Sequence, residues 1–385
     1  MNTINNIIFF GGHLPEYHRF SFMKTLSIEA GCTGVSIAPP LSLKESIQTN
    51  YKPIENIEGL SQITPLLWIP FVAGKLYRSK INNRLMFIQI KKHLKELNID
   101  VRKSLIWVFR PEQYRLAEMF HHSKLIYECY DQHIEAADIN EEKRMFINKM
   151  EDKLFKKADH VFVTSQELLK VKSHHRPDIT LAYNGADYEY FQTGNKNAAP
   201  RAITLFNKPV IGYLGTIHRH TDINLIIQIA EKRPDWSLLI ISSGPDKSDD
   251  NYIDWQKLCL IENVVTTGYI EKTKLPDYCK CFDIGIIPYK IDSTFNKYVN
   301  PNKLHEYTAI GVPIVSTKLP NLETHKEIVR IANNPEEFIM QIEKALCEDI
   351  TESNASKRLV LALKYDWHNR AREMLNVIGG KYILE

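Results

Sequence analysis

Residues 300 to 317, NPNKLHEYTAIGVPIVST, put a lysine where a helix should repel one. Asn300 reads as an N-cap and Pro301 as the first helical residue. Lys303 then falls in the first turn, at the positive end of the helix dipole and beside free N–H groups. Glu306 follows on the same face, one turn deeper. Gly311 and Pro313 end the helix before the apolar run Ile314-Val315. Two chemistries fit this pattern. One is an i, i+3 ion pair on an exposed helix, worth only about 0.3 kcal/mol. The other is an anion site, because a helix N-terminus with an added cation suits an arriving diphosphate. Glu306 would then accept hydrogen bonds from a ribose diol, and the loops elsewhere in the chain weigh toward this second reading.

The elements that must position these residues alternate along two halves. In the first, Ile7-Ile8-Phe9-Phe10 leads into Gly11-Gly12-His13, a strand ending in a glycine loop. Strand-like runs follow at Thr33–Ile37, Ser104–Phe109, Lys124–Glu128, His160–Thr164 and Ile179–Ala182, with a helical period over Asn140 to Lys157. QTGNKNAAPRAITLFNKP, residues 192 to 209, reads as a linker. The alternation restarts with Val210–Leu214 before Gly215, a helix over Asn224–Glu231, and Ser237–Ile241 before Ser242-Ser243-Gly244. Val264-Val265 precedes Gly268, a short helix covers Lys274–Lys280, and Ile284–Ile287 leads to Pro288-Tyr289. Such alternation implies parallel sheets covered on both faces, with ligands at the carboxyl ends of the strands. A chain of 385 residues also exceeds one ordinary core. The expected fold is α/β, with two Rossmann-like domains facing a cleft. They span residues 1–195 and 196–365, and a last helix over 366–385 packs back on the first.

Composition removes several function classes. At 44% hydrophobic and 25% charged the chain is ordinary globular protein. Its six cysteines are scattered, and the one close pair, Cys279 and Cys281, lacks the partners of a zinc site. The opening MNTINNIIFFGG has no cationic region and reads as a first strand, not a signal peptide. The longest apolar stretch, Ile63 to Gly74, is short of the ~20 residues that a membrane span needs. No loop fits G-x-G-x-x-G or a P-loop, which argues against a dinucleotide cofactor and the commonest ATPase design. Residues 71 to 103 carry nine basic side chains against Glu96 and Asp100, interleaved with Phe71, Tyr77, Met86 and Phe87 and preceded by Trp68. Residues 68–103 therefore suit an anionic membrane surface, or form a solvated basic helix with a buried apolar face. No nucleic-acid-binding module is recognisable.

NPNKLHEYTAIGVPIV resembles the donor-site motif of GT-B glycosyltransferases, especially bacterial enzymes that build capsular and related polysaccharides. The glucuronosyltransferases of teichuronic acid and xanthan synthesis carry similar P-x-K-L-x-E-Y patterns. IGYLGTIHRHTD, NVVTTGYIEKTKLPDYCKCFDIGIIPY, ADHVFVTSQEL, YNGADYEYF and YDWHNRAREML extend the resemblance over most of the chain. It implies a nucleotide-sugar donor, expected to be UDP-linked and to carry a hexose or a uronic acid, and a lipid-linked or glycan acceptor. By this resemblance Lys303 binds the donor diphosphate, Glu306 the ribose, and Tyr269 and Ile270 flank the base. Gly215 and Gly244 let backbone approach the nucleotide, although strand-to-helix turns need glycine in any case. Asn302, Arg219 and Tyr289 complete the candidate donor set, and Tyr289 could equally be core. The expected place is the cytoplasm, on the inner face of the cell membrane.

One position departs from the family pattern. The largest retaining class carries a second glutamate eight residues before the one matching Glu306, and here that residue is Tyr298. Inversion is therefore the expected outcome, and it needs a base for the acceptor hydroxyl. KLIYECYDQHIEAAD offers Glu128, Asp131 and His133 at a strand end of the first domain, and Asp131 is the expected base. Capping of the next helix is the alternative role for Asp131. His13, after the acceptor-side loop Gly11-Gly12, is a second catalytic candidate or an ordinary loop histidine. Asp246, Asp249 and Asp250 do not form a D-x-D dyad, so no metal is expected. A nucleotide-sugar 2-epimerase and a non-catalytic sugar-nucleotide binding subunit are the competing readings.

Overall fold

The structure is a computed structural model and describes residues 4–67, 78–135, 140–200, 203, 208–348 and 351–379. The chain separates into two compact units, Met1–Tyr183 with Trp367–Glu385, and Asn184–Asp366.

The described residues of the first unit hold ten strands: β1 (Asn6–Phe10), β2 (Thr33–Ile37), β3 (Leu41–Ser42), β4 (Ile54–Ile57), β5 (Leu60–Ile63), β6 (Leu66–Leu67), β7 (Ser104–Val108), β8 (Lys124–Cys129), β9 (His160–Val163) and β10 (Thr180–Leu181). Eight of them form one sheet in the order β10-β9-β8-β7-β1-β2-β5-β4, while β3 and β6 pair separately. Within the eight-stranded sheet only β4 with β5 is antiparallel. The central strands NIIFF and SLIWV are buried at every residue, which is why they read as unbroken apolar runs. Residues 41–67 hold strands that no pattern in the sequence marks. Those strands are two to four residues long and several are half-exposed, so neither a run nor an alternation marks them. Chain order reverses between β1 and β7, which makes their carboxyl ends the switch point of this sheet.

Aromatic rings fill the core, with Trp107 stacked on Phe162 at 5.8 Å and edge-on to Phe22 at 5.6 Å. The last helix, Trp367–Val377, lies against the helix Phe20–Glu29, with Trp367 and Phe22 ring centroids 5.3 Å apart. Glu29 accepts two hydrogen bonds from Arg372, at 2.6 and 2.9 Å, and lies 2.7 Å from His368 Nδ1. This bidentate pair fixes the rotation of the last helix.

The second unit is a six-stranded, wholly parallel sheet. Its strands are β11 (Val210–Leu214), β12 (Ser237–Ile241), β13 (Val264–Thr266), β14 (Ile284–Ile287), β15 (Ile314–Thr317) and β16 (Val329–Ala332), in the order β13-β12-β11-β14-β15-β16. Its switch point lies between β11 and β14. Ile226 and Ile229 of the helix Ile223–Lys232 fill one core of this unit. Leu304 and Tyr307 of the helix Asn302–Ile310 fill the other. Most elements read from the sequence move by one or two residues at their ends, but the last helix, expected over 366–385, ends at Val377.

The division after Tyr183 falls before the expected boundary at 195. Asn184 donates its N–H to Asn300 Oδ1 at 2.9 Å, and the N–H of Tyr188 reaches Asp366 Oδ2 at 3.0 Å. These bonds tie residues 184–192 to the second unit, a connection between residues far apart in the chain. The helix start also differs from expectation. Pro301 is the N-cap, no side chain caps the helix, and the first helical residue is Asn302. Asn300 is spent elsewhere: its Oδ1 also lies 2.9 Å from His305 Nε2.

Candidate active site

The helix Asn302–Ile310 is aimed at the switch point of the second unit by Tyr307. Its buried hydroxyl accepts the Leu214 N–H at 3.0 Å and donates to Ile286 O at 3.1 Å, pinning the helix to β11 and β14 together. Lys303, one turn earlier, is 7% exposed, and its Nζ donates to Tyr289 Oη at 3.2 Å. The same ammonium stands 4.7 Å from the Tyr213 ring centroid and 5.3 Å from that of Tyr289. Burial works against this charge. The surrounding Tyr213, Tyr289 and Tyr307 oxygens and Glu306 outweigh it and hold the pKa above the usual lysine value. Gly215, at the end of β11, has φ +116°, and a Cβ there would lie 2.9 Å from Nζ. Glycine is thus required both for the turn and for the ammonium.

The exposed ion pair does not form. Lys303 and Glu306 make no salt bridge among the described residues, and the helix face that carries them is largely buried. Glu306 is half-buried, and its pKa is raised by burial, with Lys303 opposing. Its carboxyl has no hydrogen-bond partner among the described residues, and neither has the buried Oδ1 of Asn302. A cation and two unsatisfied polar groups therefore share the first turns of one helix, at the carboxyl ends of β11 and β14.

In the first unit, Asp131 follows the end of β8. Its half-buried carboxyl is pushed up to about 7 by burial, against the lowering pull of Arg19 and Arg110. The carboxyl accepts no hydrogen bond among the described residues, so the capping role is not realised; only the main-chain oxygen of Asp131 accepts, from Cys129 Sγ at 3.3 Å. Glu128 is instead a core group, accepting from Trp107 Nε1 at 2.9 Å and paired with Arg19 at 3.4 Å. His133 is buried and held neutral, first by burial and then by the charges of Arg110 and Lys172, and its Nε2 has no partner. Gly11 and Gly12 make room for Tyr17, whose ring would meet a Cβ at Gly12 at 2.5 Å. The Tyr17 hydroxyl and the Ser36 hydroxyl beside Gly11 are buried without partners. His13 is exposed, and burial lowers its pKa against the opposing pull of Glu16 and Glu45. It belongs to the loop after β1, and Asp131 to the loop two strands away.

A family model described as glycosyl transferases group 1 matches residues 208–348, which span all of β11 to β16. TuaH of Bacillus subtilis (strain 168), named for glycosyl transfer in teichuronic acid biosynthesis, is 30% identical over 291 residues, covering 71% of each chain. The chain belongs to the group 1 glycosyltransferases. Solved structures show the same GT-B fold at low identity. Sucrose-phosphate synthase from Thermosynechococcus elongatus superposes with a TM-score of 0.74 at 15% identity, over 99% of this chain and 100% of that one. HepE of Anabaena, in complex with UDP and glucose, gives 0.64 at 12% identity, over 97% and 99%.

Not every candidate of this glycosyltransferase gathers at Lys303. Tyr289, read as possible core, is indeed buried, yet its hydroxyl is the partner of Lys303. Arg219 is engaged by the acidic loop, through a backbone bond to Asp249 at 3.1 Å and a contact with Asp250 at 3.9 Å. Gly244 lies against the Trp255 indole, 2.7 Å from where a Cβ would stand. Tyr269 is 67% exposed on the loop after β13, and Ile270 packs against the core beside it. Three residues escaped the sequence reading. Tyr213 sits in the apolar run Val210–Leu214, which hides its polar end, and Tyr307 follows Glu306 in the motif with no role of its own expected. His218, in the loop after β11, has its pKa lowered to about 4 by burial and by the neighbouring Lys303 and His220 charges. Its Nδ1 accepts the His220 N–H at 3.2 Å, so the neutral ring carries its proton on Nε2.

Proposed function

We propose that this glycosyltransferase moves a sugar from a nucleoside-diphosphate donor, UDP-linked, to a lipid-linked or glycan acceptor in surface polysaccharide synthesis. The observation that carries the reading is the buried Lys303 ammonium at the switch point, with Asn302 and Glu306 unsatisfied beside it. HepE, with UDP and glucose bound, supports the donor class, and the name of TuaH supports a polymer containing uronic acid. Lys303 and the helix N-terminus neutralise the leaving diphosphate, the part a metal takes in other enzymes. Glu306 accepts from the ribose, and the exposed Tyr269 ring flanks the base.

The transfer proceeds with inversion. The acceptor oxygen bonds to the anomeric carbon, the bond from that carbon to the diphosphate breaks, and the acceptor proton passes to Asp131. The support is the tyrosine at position 298, where retaining relatives hold an acid, together with a carboxyl whose pKa of about 7 suits a base at neutral pH. Association with the inner face of an anionic membrane through residues 68–103 belongs to the same reading. Residues 68–77, with Trp68, Phe71, Lys75 and Tyr77, lie outside the described residues, so its support comes from 78 onward. No helix of the described residues is long and apolar enough to cross a membrane.

Titration calorimetry with UDP, ADP, UDP-glucose and UDP-glucuronic acid tests the donor half. Lys303→Ala should weaken the tightest of these about 10–100-fold, the loss expected for one charged hydrogen bond. Absence of nucleotide binding, or no effect of the Lys303 change, would remove the basis of the proposal. Donor incubated alone should give no epimer, and an epimer without transfer would favour the epimerase. The anomeric configuration of the product, read by NMR, decides inversion.

A further inference from the structure

On the first unit, the helix Lys80–Glu96 and the segment after it bound an open groove of about 620 Å³. Phe87, Leu94, Ile99, Val101, Met119 and Phe120 give it apolar walls. Lys91 and Lys95 line the same groove; both are exposed and neither has an acidic partner among the described residues. The nearby acids are already matched, Glu96 by His93 and Lys92, and Asp100 by Arg102. The helix also turns Ile81, 64% exposed, and Ile88, 56% exposed, outward among the exposed Lys80, Arg84, Lys91 and Lys92. Apolar walls, unmatched cations lining the groove and exposed isoleucines fit an amphiphile with a negative head.

The place in the sheet decides which amphiphile. Val101 and Arg102 immediately precede β7, and Met119, Phe120 and His121 precede β8, so the groove is built at the amino ends of these strands. Asp131 follows the carboxyl end of β8. The six residues of that strand set the two places about 20 Å apart. An acceptor lipid reacting at Asp131 does not need this groove, whereas a lipid of the supporting membrane does not need Asp131.

We propose that this groove holds an acyl chain of an anionic membrane phospholipid, with its phosphate between Lys91 and Lys95. The inference rests on the membrane association put forward above and gives it a defined binding site. Lys80, Arg84 and the outward isoleucines meet neighbouring lipids in the same plane.

The test uses the full chain and two lipid probes. One is dihexanoyl phosphatidylglycerol below its micelle concentration, titrated calorimetrically with glycerol phosphate as the headgroup control. The other is sedimentation with vesicles of equal parts phosphatidylglycerol and phosphatidylcholine, against phosphatidylcholine alone. Wild type should bind the short-chain lipid saturably, bind glycerol phosphate much more weakly, and sediment only with the anionic vesicles. Lys91→Glu with Lys95→Glu should abolish short-chain binding and weaken vesicle binding at least about tenfold. Lys80→Glu with Arg84→Glu makes the same charge change elsewhere on the helix and should weaken vesicle binding while keeping the short-chain site. All four positions are exposed, and transfer to a soluble acceptor should be unchanged in both variants. Vesicle binding without short-chain binding overturns the groove alone, as does equal binding of glycerol phosphate. No vesicle binding overturns the membrane reading and the groove with it.

Discussion

Lys303 and Asp131 show burial acting on opposite charges with opposite outcomes. Three phenol oxygens and Glu306 surround the lysine closely enough to offset its desolvation, so it stays charged. For Asp131 the lowering pull of Arg19 and Arg110 does not offset burial, and its carboxyl rises to about 7. Two consequences follow for Asp131. As a base it must be ionised, so the rate with wild-type enzyme should rise with pH through about 7, and Asp131→Asn should cost at least about 100-fold. Its folded pKa also lies above the unfolded value of about 3.9, so ionisation works against the folded state. The stability it contributes is complete below about 4 and is lost as pH rises to about 7. Asp131→Asn should therefore melt higher than wild type at pH 8 and alongside it at pH 3.5. A variant that is inactive but no more stable at pH 8 would contradict the raised pKa.

At the scale of elements, the donor half depends on one helix docked across two neighbouring strands. Tyr307→Phe removes the acceptor for a buried N–H at Leu214 and should cost about 1–3 kcal/mol of stability in denaturant titration of the second unit. Gly215→Ala tests the close approach of β11 to the helix. The new methyl group conflicts with both φ +116° and the ammonium 2.9 Å away. Donor affinity should fall in the single variant yet change little when Lys303→Ala is already present, because both substitutions act on the same ammonium. Additive losses would show that Gly215 acts through the backbone alone.

For the whole molecule, the chain returns to its first unit after completing the second. Trp367, Ala371, Met374, Leu375 and Ile378 all enter the first unit's core. Large apolar side chains contribute about 1.5–3 kcal/mol each when buried, so together they rival the 5–15 kcal/mol total stability of a typical domain. A chain ending at Asp366 should lose the cooperative melting of the first unit. It should keep nucleotide binding by the second unit, which closes on itself through the bonds from Asn184 and Tyr188. Limited proteolysis and calorimetry of the truncated chain read both outcomes.

The inner strands of both sheets were legible because a parallel strand covered on both faces is a short apolar run, as in NIIFF, SLIWV and SLLII, whereas β4, β5 and β16 were not. The helix Asn302–Ile310 was legible from Pro301 before it and Gly311 after it, and its motif pointed to the family through residues adjacent in the chain. Local signals end there. The place of β11 beside β14, which brings Gly215, Tyr289 and Lys303 together, comes from the order of strands in the sheet. Tyr213 and Tyr307 are buried in the core, and only packing shows that their oxygens and rings surround a cation. The pKa of Asp131 and the return of residues 184–192 to the second unit are likewise set by groups distant in sequence. The amino-acid order determined which segments are strands and helices and which residues carry charge. Tertiary structure decided which of those charges are buried together, because burial and hydrogen bonding depend on neighbours in space.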